Sequence, residues 1–106
     1  ISPDVHRLIR GSIGFDGLLM SDDLSMEALG GTVKDRASAA IAAGCDIVLH
    51  CNGNLDEMQD VAEAACLMTL KARERAAKVI NLHETLAQRE VDISRFTAQL
   101  DAMSQI

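Results

Sequence analysis

Only two segments of this 106-residue chain read as strands, and a helical stretch separates them. Gly17-Leu18-Leu19-Met20-Ser21 is a short apolar run bounded by a glycine and two aspartates. Cys45-Asp46-Ile47-Val48-Leu49-His50 is the second, and it runs into a turn cluster, Cys51-Asn52-Gly53-Asn54. Continuous apolar runs of this length suit strands covered on both faces. A strand, a helix and a strand in that order form a unit whose strands lie parallel and whose crossover is right-handed. Two strands alone leave backbone N–H and C=O groups unpaired along both outer edges. The pattern therefore predicts an α/β fold with an incomplete sheet, completed by further chain or by other copies. The opening at Ile1, in mid-pattern and without an initiator Met, points the same way, to a piece of something longer or a processed product.

Local signals place five helices around these strands. Ser2 can cap a first helix from about Pro3 to Arg10, because a proline at the first position forfeits an N–H that has no partner there. Thr32, with Asp35 three residues on, forms a capping box for a second helix that stops at Gly44. Asn54 caps a third, with Glu57 at the capping-box position and Met58, Val61, Ala62 and Ala65 facing inward. A long helix is predicted from about Thr69 to Arg89, with Ala72, Ala76, Val79, His83 and Leu86 on one face and a favourable Glu74–Lys78 pair. Asp92 or Ser94 begins a last helix, with Phe96, Leu100 and Met103 inward.

Composition narrows the possible functions. Aromatics are confined to Phe15 and Phe96, too few for a base-stacking platform, and any core must be built from aliphatic side chains and alanine. A net charge of −6 excludes a basic stripe for nucleic acid. No apolar run approaches the roughly 20 residues that span a bilayer, and no signal peptide is visible. Cys45, Cys51 and Cys66 are odd in number and form no C-x-x-C, so buried free thiols and a reducing, cytoplasmic setting are expected, with no metal site and no cofactor.

The sharpest chemical feature is Ser21-Asp22-Asp23, at the C-terminal end of the first strand. Ligands and catalytic side chains collect at that end of parallel sheets. A carboxylate there can be a nucleophile, a metal ligand or a general base, or it can merely cap a turn or the next helix. His50 ends the second strand on the same side, although a structural role for it outweighs a catalytic one. His6 is expected on a solvated helix face and His83 on a packed stripe. Asp56, Glu57 and Asp60 read as a solvated helix face, Met20, Met26 and Met58 as packing, and Gly30-Gly31 as loop freedom without the G-x-x-x-x-G-K of a phosphate loop.

The run from Leu8-Ile9-Arg10 through Ile13-Gly14-Phe15-Asp16-Gly17-Leu18-Leu19-Met20-Ser21-Asp22-Asp23-Leu24-Ser25-Met26 resembles the active-site signature of family 3 glycoside hydrolases. With Ala39-Ala40-Ile41-Ala42-Ala43-Gly44-Cys45-Asp46 following, it is similar to the bacterial β-N-acetylhexosaminidases of peptidoglycan recycling. The match is specific over residues 8–54 and thins out in the alanine-rich helices. Ser12 departs from it, standing where the wider family carries a charged or amide side chain. The resemblance implies that Asp22 is the catalytic nucleophile and forms a covalent glycosyl-enzyme that water hydrolyses with retention. It implies N-acetylglucosamine-containing cell-wall saccharides, anhydro-muropeptide fragments among them, as substrate. It also implies a partial (β/α)₈ TIM barrel, with the strands here as the seventh and eighth of a domain of about 250 residues. The family's acid/base His, on a K-H-x-P-G-H stretch and loop, has no counterpart here, nor do its sugar-binding Arg and Lys. The whole chain, residues 1–106, is thus expected to be a C-terminal fragment of such a barrel, inactive alone.

Two other readings remain. One is a Mg²⁺-dependent phosphoryl-transfer site on Asp22-Asp23, which would need another Asp and a Lys at later strand ends. Here Asp46 begins its strand, and Lys71 and Lys78 lie on a helix. The other is non-catalytic: a self-associating piece or helical interaction module, driven by open sheet edges and unpartnered apolar faces.

Overall fold

The computed structural model describes residues 1–86 and 92–104. Helix α1 (Pro3–Arg7) starts where Ser2 accepts a hydrogen bond from the Val5 amide. It continues not as α-helix but as one wider π turn over Leu8–Ser12, in which the Ile13 amide reaches back to the Leu8 carbonyl. Strand β1 (Met20–Asp23), helix α2 (Val33–Ala43), strand β2 (Ile47–Leu49), helix α3 (Leu55–Ala65), helix α4 (Leu70–Leu86) and helix α5 (Ile93–Ser104) follow. The strands pair in parallel across the α2 crossover. The chain is thus mostly helical with a small parallel sheet.

The first strand begins three residues later and ends two residues later than expected from Gly17–Ser21. The Leu19 amide donates to the side chain of Asp46 rather than to a neighbouring strand, so ladder pairing begins at Met20. Between Met20 and Asp23 the register is irregular: Ser21 Oγ takes the Leu49 amide at 3.0 Å, and the Leu24 amide then returns to the Leu49 carbonyl. The second strand is shorter than Cys45–His50, because the ladder occupies only Ile47–Leu49.

Leu24, Ala37, Ala40 and Val61 form the core, with Leu29, Val33, Cys45, Val48 and Ala64 packed against it. The alanines of α2 allow a close approach to both the sheet and α3. Thr32 and Asp35 make the capping box reciprocally. Gly44 ends α2 at φ +120°, a conformation that a side chain would strain. Asn54 Oδ1 accepts from the Asp56 and Glu57 amides, so Asn54→Ala is expected to lower stability by about 1 kcal/mol, read as a lower denaturant midpoint at unchanged slope.

Several expected burials do not occur. Cys51 and Cys66 are exposed, and only Cys45 is partly buried. His83 and Val79 are exposed on α4, where only Ala72 is buried. Phe96, Leu100 and Met103 are exposed on α5, and Met20, Met26 and Met58 are each about half exposed. Residues 87–89 of the expected long helix lie outside the described residues. A periodic apolar stripe buries only where another surface meets it. The accessible area, 8142 Å², is well above the roughly 5,800 Å² of a compact monomer of this mass. The radius of gyration, 18.1 Å, exceeds the about 13 Å usual for this length.

Candidate functional site

The C-terminal end of β1 separates the two aspartates by environment. Asp23 is half-buried and saturated: its carboxylate accepts from the Ser25 hydroxyl, from the Ser25 amide at 3.0 Å and from the Cys51 amide at 3.1 Å. It closes the turn after β1 and fastens that turn to the loop after β2. The Ser25 hydroxyl and amide, then the Cys51 amide, hold its carboxyl below the ordinary carboxylate range. A carboxyl lowered by folding contributes stability above its unfolded pKa of about 3.9, and that contribution is lost as pH falls through the lower folded value. Asp23→Asn is therefore expected to flatten the loss of stability in acid, measured as urea midpoints from neutral to strongly acidic pH.

Asp22 is different. Its side chain is exposed, and among the described residues its one hydrogen bond is from the amide of its neighbour Asp23, at 2.8 Å. It lines an apolar-walled cavity of about 370 Å³ with Leu19, Met20, Leu24, Met26 and Leu29. It is thus a carboxylate presented beside an apolar surface, with a second oxygen uncommitted. Nearby, the exposed Cys51 has its thiol pushed up by desolvation and then by the charges of Asp23 and Asp22, which disfavours the reactive thiolate.

The histidines are not interchangeable. The side chain of His50 is 5% exposed, and its Nε2 lies 2.8 Å from Glu57 Oε2. That oxygen also accepts from Asn52 Nδ2, and Asn52 Oδ1 takes the Asn54 amide. Glu57 is therefore not part of a merely solvated face. The bonds from His50 and then Asn52 draw its carboxyl below the usual range. His6 is half-buried, not solvated: its Nδ1 contacts the Ser2 carbonyl at 2.8 Å and its Nε2 the Cys45 Sγ at 3.2 Å. That contact is at the opposite end of β2 from Cys51.

The same opposite end holds an ion cluster that sequence reading did not find. Asp46, 7% exposed, takes Arg10 Nη2 at 2.7 Å and the Leu19 amide at 2.9 Å on one oxygen, and Arg75 Nη1 at 2.9 Å on the other. Arg10 also donates to the carbonyls of Phe15 and Gly17, and Arg75 to Asp16. The π turn carries Arg10 into this cluster. The one available signal was that Asp46 interrupts an apolar run at its start. Among the described residues no group of three or more His, Cys, Asp or Glu side chains is gathered as for a metal ion, and no helix is long and apolar enough to cross a membrane.

A parallel strand–helix–strand unit thus presents an exposed carboxylate at the tip of its first strand. Residues 3–82 fit the model of the glycosyl hydrolase family 3 N-terminal domain, and the chain belongs to that family. Its relatives include proteins named beta-hexosaminidase. That of Bordetella avium is 50% identical over 50 residues, 45% of this chain and 14% of the relative. That of Chromobacterium violaceum is 57% identical over 47 residues, 42% of this chain and 13% of the relative. That of Neisseria gonorrhoeae is 47% identical over 60 residues, 53% of this chain and 17% of the relative. The chain thus matches only a small part of each relative's length.

Proposed function

We propose that this chain carries the nucleophile of a retaining β-N-acetylglucosaminidase, and that Asp22 is that nucleophile. The observation that supports this most directly is the division of labour at the end of β1. Asp23 is consumed by three hydrogen bonds, while Asp22 stands exposed over an apolar cavity. An aspartate is ionised at neutral pH and attacks an anomeric carbon without first losing a proton. Attack forms the Asp22–sugar ester as the aglycone departs with a proton, and water then cleaves the ester with retention.

The proton donor has to come from elsewhere. His6 lines the same cavity as Asp22, but both its ring nitrogens are engaged, by the Ser2 carbonyl and Cys45 Sγ; His83 is on the open surface of α4, and His50 is buried against Glu57. We assign the donor, and the remaining strands of a (β/α)₈ barrel, to chain beyond these 106 residues. Cell-wall saccharides bearing terminal N-acetylglucosamine, including anhydro-muropeptide fragments, are the proposed substrates, encountered in the cytoplasm. The test is to incubate the full-length gene product with a fluorinated N-acetylglucosaminide that traps the ester and to map the label by peptide mass spectrometry. Label on Asp22 supports the assignment, and label on any other side chain refutes it.

The excess accessible surface favours a second statement about the chain in isolation. Both sheet edges are open among the described residues, and Ile93, Phe96, Leu100 and Met103 leave α5 apolar and exposed. The isolated chain is expected to self-associate and to show no turnover of a chromogenic N-acetylglucosaminide. Light scattering that finds a monodisperse monomer would contradict the first part. Turnover abolished by Asp22→Ala would contradict the second.

A further inference from the structure

His50 breaks the local rule of its strand. It ends an apolar run, yet it is a polar side chain only 5% exposed, and its Nδ1 is buried with no hydrogen-bond partner among the described residues. An aliphatic side chain would fill this place without leaving a nitrogen unsatisfied, so burying imidazole here costs stability. Breaches of this kind concentrate where function requires them. What the imidazole gains is on its other side, where Nε2 meets Glu57 Oε2 at 2.8 Å. Glu57 is itself placed by the Asn54 cap at the start of α3 and also binds Asn52. The loop 50–54 is thereby braced from within at both ends. One residue of that loop, Cys51, donates its amide to Asp23, the direct neighbour of Asp22. The Asp23 amide in turn donates to Asp22 Oδ1. A continuous chain of hydrogen bonds and backbone thus runs from α3 to Asp22, and its links span the gap between the ends of the two strands.

We propose that Glu57, His50 and Asn52 are positioning residues for Asp22, acting through the Cys51 amide and Asp23. The inference rests on the assignment of Asp22 as nucleophile. The two strands are joined in register only at Met20–Ile47 and Asp23–Leu49, with an irregularity between, so the ladder alone leaves the direction of Asp22 weakly specified. The brace supplies what the short ladder lacks. Removing it lets the loop and the turn at Asp23–Ser25 shift together, and a nucleophile displaced by about 1 Å loses rate steeply while the sugar still binds.

The test uses the full-length gene product and compares Glu57→Ala, Glu57→Gln and His50→Val with the unmodified protein. Three quantities are read: kcat and KM on a chromogenic N-acetylglucosaminide, the rate of covalent labelling by a fluorinated N-acetylglucosaminide, and the melting temperature. Glu57→Ala and His50→Val are expected to lower kcat and the labelling rate together, on the order of 10- to 100-fold, with KM within about twofold and the label still on Asp22. Glu57→Gln keeps an acceptor for His50 and is expected to recover most of the loss. If both disruptive variants melt earlier but label and turn over at the unmodified rate below their melting points, the brace is structural and the inference is wrong. If Glu57→Gln is as impaired as Glu57→Ala, positioning by the hydrogen bond is likewise wrong. Label on another residue in the unmodified protein refutes the nucleophile assignment instead, and the brace with it. Label on Asp22 at unchanged rate in the variants overturns the brace alone.

Discussion

Asp22→Ala in the full-length gene product is expected to reduce kcat by on the order of 10⁴-fold or more while leaving the melting temperature nearly unchanged. The two halves of this expectation come from the same geometry. Among the described residues the Asp22 carboxylate makes no side-chain hydrogen bond or ion pair that holds the fold: it is exposed, and its one bond is from the adjacent amide. Exposed substitutions of that kind usually shift stability by no more than about 0.5 kcal/mol. The same carboxylate is the one group at the tip of β1 left over for attack, because Asp23 is occupied. Asp23→Ala should therefore show the reverse balance, a clear loss of stability from the stranded Ser25 and Cys51 donors together with a smaller loss of rate. A small carboxylate such as formate, added at high concentration, should restore part of the turnover of Asp22→Ala, since it can occupy the vacated space as a nucleophile. Kinetics, calorimetry and the formate titration together decide the matter. Equal losses of rate in the two alanine variants would remove the basis for distinguishing them.

The second large effect is on stability. Asp46→Ala is expected to cost about 3 kcal/mol, because it removes the acceptor shared by two largely buried guanidiniums, of Arg10 and Arg75, and by the Leu19 amide. For a domain of this size that is a fall in melting temperature of more than about 10 °C. Asp46 ties together three separate pieces of chain: the π turn through Arg10, the entry to β1 through Leu19, and α4 through Arg75. Asp46→Asn keeps one acceptor oxygen and cannot serve both arginines, so it should recover only a fraction of the loss. A double-mutant cycle with Arg10→Met measures how much of the effect belongs to the pair rather than to the truncation. This cluster lies at the N-terminal end of the strands, away from Asp22, so at temperatures well below melting kcat should change far less than in Asp22→Ala. A melting temperature within about 2 °C of the unmodified protein would show that the cluster is dispensable.

Where each helix starts was legible because helix ends are local. Ser2, Thr32 with Asp35, and Asn54 each satisfy amides two or three residues away, and Gly44 supplies its own backbone conformation, so residue identity within a few positions specifies the result. The parallel order of the strands was legible for a similar reason, since a helix between two short apolar runs leaves little other choice. The position of Asp22 at a strand end could be read, and so could its membership of glycoside hydrolase family 3, which is carried by a contiguous run of residues.

Partnership across long separations was not legible. That Asp46 interrupts an apolar run marks it out from Asp56, but nothing in the order of residues names the two arginines that bind it. Nor does it show that Glu57 faces His50 while Asp60 faces Lys34. The strand boundary moved because a side chain 27 residues away took the Leu19 amide. The apolar stripes of α4 and α5 were read correctly as stripes and wrongly as buried ones. Periodicity and capping depend on neighbours within about one helical turn, and these are written in the order of residues. Ion pairs, ladder register and exposure depend on which surfaces meet, and that is fixed only when the chain has packed.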